Sequence, residues 1–214
     1  MPRIRLKKPS RSNGGPGRIV VASGNPGKLK ELCALLKDIG AELVPRSELG
    51  VPDAEESGET FADNALIKAR NASRHTGLPA VADDSGLEVD ALEGAPGIRS
   101  ARYAGDGASD RDNIDKLLKA LAGVDASART ARFVCVMVYV EEANNRTPII
   151  CRGVWEGRIL ESPSGGGGFG YDPVFFVPSE GMTAAAMTPE RKNGLSHRGR
   201  ALRKLKRALR NRYA

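Results

Sequence analysis

Apolar positions along this chain switch between short continuous runs and helical stripes. Arg18-Ile19-Val20-Val21-Ala22 is such a run and predicts a strand. Ser23-Gly24-Asn25-Pro26-Gly27-Lys28 breaks it. Leu29, Leu32, Cys33, Leu36 and Ile39 then recur at helical spacing, and Gly40 marks the stop. Leu43-Val44 predicts a further short strand, and the polar, acidic residues 50–59 a loop. Thr60 suits an N-cap, followed by a helix that buries Ala62, Ala65, Leu66, Ala69 and Ala72. Leu78-Pro79-Ala80-Val81-Ala82 predicts a buried strand that ends in Asp83-Asp84 and a glycine turn, with Leu87-Glu88-Val89 as a continuation. Residues 94–108 read as a Gly- and Ala-rich loop, and Ile114 to Leu121 as a helix.

The run from Arg132 to Val140 is apolar on both faces for most of its length, the mark of a central strand in a covered sheet. Ile149 to Val154, Glu156 to Leu160 and Val174 to Val177 predict further strands, and Gly165 to Gly168 a mobile loop. From His197 onward, Ala201, Leu202, Leu205, Ala208 and Leu209 form one face of an amphipathic helix. Helices alternate with strands, yet hairpins also occur. The expected class is α/β, a long mixed central sheet flanked by helices.

Composition changes this picture little. The 214 residues are 40% apolar and 28% charged, enough for one sizeable domain with a real core. No run approaches the roughly 20 apolar residues of a membrane helix, and no apolar segment follows the basic N-terminus as in a secretory signal. Cys33, Cys135 and Cys151 lie far apart in apolar segments, without metal-ligand spacing, as reduced core cysteines of a cytoplasmic protein do. Charge distribution matters more. Residues 1–18 carry six basic side chains and residues 191–214 carry ten, with no acid in either stretch. Those sixteen cations exceed the net charge of +7 by nine, so residues 19–190 sum to −9. An acidic body with basic ends argues against nucleic acid as the main ligand. Residues 1–17 lack periodicity and read as a disordered tail ahead of a domain spanning 18–214.

Candidate chemistry centres on Asp83-Asp84. Two carboxylates at a strand end offer hard oxygens, which suit Mg²⁺ and, with it, a phosphate-bearing substrate. In extended backbone their side chains face opposite ways, so one serves as base or ligand and the other supports the turn. Asp53, Glu55, Glu56 and Glu59 form a second acidic group that could complete a metal shell or merely be solvated. The turn Ser23 to Lys28 joins strand to helix, where backbone N–H groups, the helix dipole and Lys28 can cradle phosphate, although P-loop spacing is absent. Gly165 to Gly170 matches G-x-G-x-x-G, but no strand precedes it and no helix follows, which excludes a dinucleotide fingerprint. Phe169 there offers a stacking face and Asp172 an acceptor, or Phe169 is simply core. Lys192 and Ser196-His197-Arg198 gather donors at the last helix start, and His75 reads as a surface residue.

Six segments in order resemble the inosine triphosphate pyrophosphatase family. They are Ser23-Gly24-Asn25 with Lys28, Glu55 through Ala65, Ala82 to Leu87, Gly94 to Tyr103, Gly168 to Pro173, and Ser196-His197-Arg198 with Ala201. The likeness runs from about residue 18 to 210, with Ser23 where threonine is commoner. It implies two lobes on a shared sheet with the site in the cleft between them, a homodimer, and Mg²⁺-dependent hydrolysis of ITP, dITP or XTP to monophosphate and pyrophosphate. It also implies roles. Asp84 would be the catalytic base and, with Glu55, a metal ligand, while Asp83 supports them. Ser23, Gly24, Asn25, Pro26, Gly27 and Lys28 would hold the triphosphate, and Ser85 would contact substrate. Phe169, Gly170, Tyr171, Asp172, Lys192, His197 and Arg198 would bind the nucleotide, mostly its base. The nearest alternative is a Maf-like pyrophosphatase acting on dTTP or UTP; the Phe-Gly-Tyr-Asp and Ser-His-Arg segments count against it.

Overall fold

The structure is a computed structural model that describes residues 17–24, 27–29, 32, 36 and 40–213. The tail expected at 1–17, apart from Gly17, lies outside those residues, as do Asn25, Pro26, Cys33 and Ile39. Seven strands form one mixed sheet in the order β2-β1-β3-β4-β5-β6-β7. They are β1 (Arg18–Val21), β2 (Glu42–Pro45), β3 (Ala80–Val89), β4 (Thr130–Val140), β5 (Ile149–Ile159), β6 (Phe175–Val177) and β7 (Met182–Thr183). β1 runs parallel to both β2 and β3, and every later pairing is antiparallel. Four helices are α1 (Phe61–Thr76), α2 (Asp110–Ala120), α3 (Pro189–Leu195) and α4 (His197–Tyr213). Gly27, Lys28, Leu29, Leu32 and Leu36 are helical as well.

Burial alternates along the long strands and assigns each helix to a face. Val20, Ala80, Ala82, Val134, Val136 and Val138 pack against Phe61, Ala65, Ala69 and Ala72 of α1. On the opposite face, Val81, Cys135, Met137 and Tyr139 meet Leu202, Leu205 and Leu209 of α4, with Leu32 and Leu36. Further along that same face, Leu87, Phe133 and Trp155 meet Ile114 and Leu117 of α2. β3, β4 and β5 therefore run through two differently covered halves of the molecule, and the substrate candidates lie where the coverings meet. Cys135 and Cys151 are buried and free, as expected of core cysteines. Burial pushes the Cys135 thiol up to about 12.

Several boundaries differ from expectation. The Asp-Asp strand does not end in a glycine turn: pairing with β4 continues through Asp84 with Val136 and Gly86 with Val134 to Val89. Glycine at 86 is required by crowding, because an added Cβ would lie 2.3 Å from the Gly97 carbonyl oxygen. The two strands predicted across 149–160 are one, since β4 offers an unbroken partner. The loop at 94–108 contains a 3-10 turn, Gly97–Arg102, anchored by Leu87 N–H donating to Ser100 Oγ at 2.8 Å. α2 begins at Asp110 rather than Ile114, because Ser109 and Asp112 form a capping box. Thr60 caps α1 in the same way, with Asp63.

Candidate functional site

Strand alternation separates the two aspartates. Asp83 points to the α4 face and pairs with Lys28 Nζ at 3.3 Å and Arg198 Nε at 3.7 Å. Asp84 points to the α1 face and pairs with Lys68 Nζ at 3.2 Å. Their environments drive them apart electrostatically. Burial alone would raise Asp83, but Lys28, Arg198 and Lys68 outweigh it and hold its carboxyl below the ordinary value. Burial pushes the Asp84 carboxyl above the usual aspartate range, and Lys68 offsets this only in part. Lys68 itself stays firmly ammonium: Asp84, Asp83 and Glu56 together overcome its burial and raise it.

Lys68 Nζ also lies 3.3 Å from Glu56 Oε1. Residues 53–57 alternate in exposure, with Ala54 and Glu56 half-buried and Asp53, Glu55 and Ser57 exposed. Glu56 lines the cavity, and its neighbour Glu55, the expected metal ligand, is exposed. Asp84 Oδ2 is buried with no hydrogen-bond partner among the described residues. Two carboxylates converging on one cation, with a spare oxygen, fit Mg²⁺ chemistry. The described residues hold no cluster of three or more His, Cys, Asp or Glu, so such an ion would take its other ligands from water and phosphate.

Ser23, Gly24 and Lys28 line a cavity of about 200 Å³ together with Arg46, Glu56 and Lys68. Ser23, Gly24 and Lys28 of the predicted phosphate turn therefore share this cavity with Glu56 and Asp83, whereas Asn25 and Pro26 fall outside the described residues. Gly27 is exposed at the helix start.

The other predicted segment assembles beside Asp83. Asp172, buried, accepts the Phe169 N–H at 2.8 Å and pairs with Lys192 Nζ at 2.5 Å. Burial raises the Asp172 carboxyl, and Lys192 opposes this. Gly168 needs its φ of +77°, and an added Cβ there would strike Asp172 Oδ2 at 2.2 Å. Lys192 Nζ and the Arg198 guanidinium carbon lie 4.7 and 5.5 Å from the Phe169 ring centroid, so the ring lies alongside two cations. Arg198 also reaches Ser85 Oγ at 3.4 Å. His197 stacks on Phe133 at 4.8 Å, and its Nδ1 has no partner among the described residues. Burial, then the charges of Arg198 and Lys192, lower its pKa well below the ordinary 6.5, so the imidazole is neutral. Two segment members do structural work: Tyr171 is buried and donates to Ser100 O at 2.9 Å, and the Gly170 N–H donates to Asp110 at 2.6 Å.

Sequence reasoning missed Lys68 and Arg46, and named Glu56 only as one of four acidic loop residues. Lys68 carried a signal, because it falls on the helical stripe of Phe61, Ala65, Ala69 and Ala72, where a charge needs a buried partner. Arg46 carried none.

A mixed α/β sheet with a cation-lined turn and two unlike aspartates defines a protein built to handle a polyphosphate. The Ham1 family profile matches residues 19–208, and the chain belongs to that family. It is 60% identical over 184 residues to the dITP/XTP pyrophosphatase of Methylococcus capsulatus, covering 86% of this chain and 92% of that one. The Shigella flexneri dITP/XTP pyrophosphatase is 57% identical over 194 residues, covering 91% and 98%. Among solved structures, a HAM1 protein from Coxiella burnetii superposes with a TM-score of 0.87 at 51% identity, covering 91% of this chain and 99% of that one. The Staphylococcus aureus Ham1 protein gives 0.82 at 39%, again covering 91% and 99%.

Proposed function

We propose that this protein hydrolyses non-standard purine nucleoside triphosphates, dITP, ITP and XTP, to monophosphate and pyrophosphate, and so removes deaminated purines from the nucleotide pool. The observation that carries the reading is Asp84: a buried carboxylate with a raised pKa, paired with Lys68, whose side chain lines the cavity shared with Ser23, Gly24 and Lys28. The names of the curated relatives support the substrate class.

Asp84 accepts the proton of the attacking water, a task suited to a carboxylate shifted upward toward neutrality. Lys68 keeps the ionised form populated and orients it. Lys28, held by Asp83, neutralises triphosphate charge as the leaving pyrophosphate develops. Asp84 and Glu56 would hold Mg²⁺, which supplies charge neutralisation and Lewis acidity at the phosphates. At the other end, the base lies against Phe169, within reach of His197 and Arg198. Hypoxanthine and xanthine present a 6-carbonyl acceptor with an N1–H donor, and adenine presents the reverse. Donors aimed at the 6-oxygen are left unpaired by adenine, at about 1–3 kcal/mol each. Guanine shares the 6-oxygen, so its rejection rests on pocket shape around the 2-amino group.

The wider reading is a cytoplasmic homodimer with two lobes, in which resemblance to the inosine triphosphate pyrophosphatases supports the dimer and the location. No described helix is long and apolar enough to cross a membrane. The test is pyrophosphate release with Mg²⁺ from dITP, ITP and XTP against ATP, GTP, dTTP and UTP. Release confined to the first three, and reduced about 10²–10⁴-fold in Asp84→Asn with nucleotide binding retained, is expected. Release from dTTP or UTP would move the assignment to the Maf-like alternative.

A further inference from the structure

The cavity beside the phosphate turn contains a guanidinium that the mechanism above does not use. Arg46 opens a 3-10 turn (Arg46–Leu49) directly after β2, and its side chain is only 16% exposed. Its Nη1 donates to the Val51 carbonyl at 3.1 Å, and its Nη2 pairs with Asp53. Asp53 is 88% exposed. The guanidinium lies across Gly24: an added Cβ at Gly24 would be 2.7 Å from Arg46 Nη2. The sheet order explains the approach. β1 and β2 are parallel and in register, Val21 beside Pro45, so Ser23, Gly24 and Arg46 follow their strands at the same end of the sheet.

From this geometry we infer that Arg46 binds the distal phosphates of the triphosphate, and that Asp53 is a placeholder the substrate displaces. The inference rests on the polyphosphate reading of the site. Three features support it. A guanidinium presents a rigid fork of donors matched to two phosphate oxygens, whereas Lys28 offers a point charge. An ion pair with so exposed a carboxylate is weak, so exchanging Asp53 for phosphate costs little. Arg46 also lines the same cavity as Gly24, Lys28 and Lys68, so its guanidinium adds to the cations that face a bound polyphosphate.

The test measures inorganic pyrophosphate binding by calorimetry in wild type, Arg46→Gln, Arg46→Lys and Asp53→Asn, alongside steady-state kinetics on dITP. Arg46→Gln is expected to weaken pyrophosphate binding and raise the dITP KM about tenfold with kcat nearly unchanged. Arg46→Lys is expected to recover part of the affinity, and Asp53→Asn to tighten pyrophosphate binding by freeing the guanidinium. Unchanged affinity and KM in Arg46→Gln would overturn the inference, as would absence of pyrophosphate binding by wild type. Equal weakening in Asp53→Asn would overturn it too, since that would make the pair a mere loop brace. Arg46-dependent pyrophosphate binding in a protein that hydrolyses no nucleotide would uphold Arg46 while defeating the proposed function.

Discussion

Asp83 and Asp84 are neighbours in sequence, yet one carboxyl is lowered and the other raised. Such divergence suits the proposed roles, a structural anion and a working base at adjacent positions. Because protonated Asp84 cannot take a proton, kcat falls as pH drops through its pKa. Lys68 lowers that pKa, so Lys68→Met is expected to move the acid limb of the kcat profile to higher pH. A limb that stays in place would mean the ammonium does not act on Asp84. The opposite facing of the pair was legible from strand periodicity alone. That Glu56 and not Glu55 enters the cavity was not, because an irregular loop has no period to read.

At the scale of elements, α4 delivers His197 and Arg198 to the site from its first turn. It packs so tightly on β5 that an added Cβ at Gly153 would lie 2.1 Å from the His197 carbonyl oxygen and 2.6 Å from the Ala201 nitrogen. Gly153→Ala is expected to cost about 1–3 kcal/mol in urea unfolding and to raise the dITP KM, since the backbone that must yield carries His197 and Arg198, the residues proposed to bind the base. A stability loss with KM unchanged would mean that the helix start is not what positions the base. α1 and α4 were readable because each shows an apolar stripe, and Thr60 announced the first. The length of β3 was misjudged because Gly86 resembles a local break, and β5 was split at Trp155; the continuous partner β4 carries both strands through.

At the scale of the molecule, folding sequesters a neutral imidazole. His197 titrates well below 6.5 when folded and near 6.5 when unfolded, so the unfolded chain binds the extra proton as pH falls below about 6.5. Stability is therefore expected to drop in that direction. Urea midpoints at pH 7.5 and 5.5 should show a shallower dependence in His197→Gln, whatever the variant's absolute stability; an equal slope would place the acid sensitivity elsewhere. The sequence by itself determined the α/β class and the identity of most elements, and it marked the segments proposed to handle phosphate and base. Those properties are written in the spacing of residues a few positions apart. Only the tertiary structure decided that Lys68, Glu56 and Arg46 share a cavity with Lys28, and that Asp83 joins Lys28 to Arg198. Convergence of side chains from separate elements depends on strand order and register, which bring together residues up to 170 positions apart.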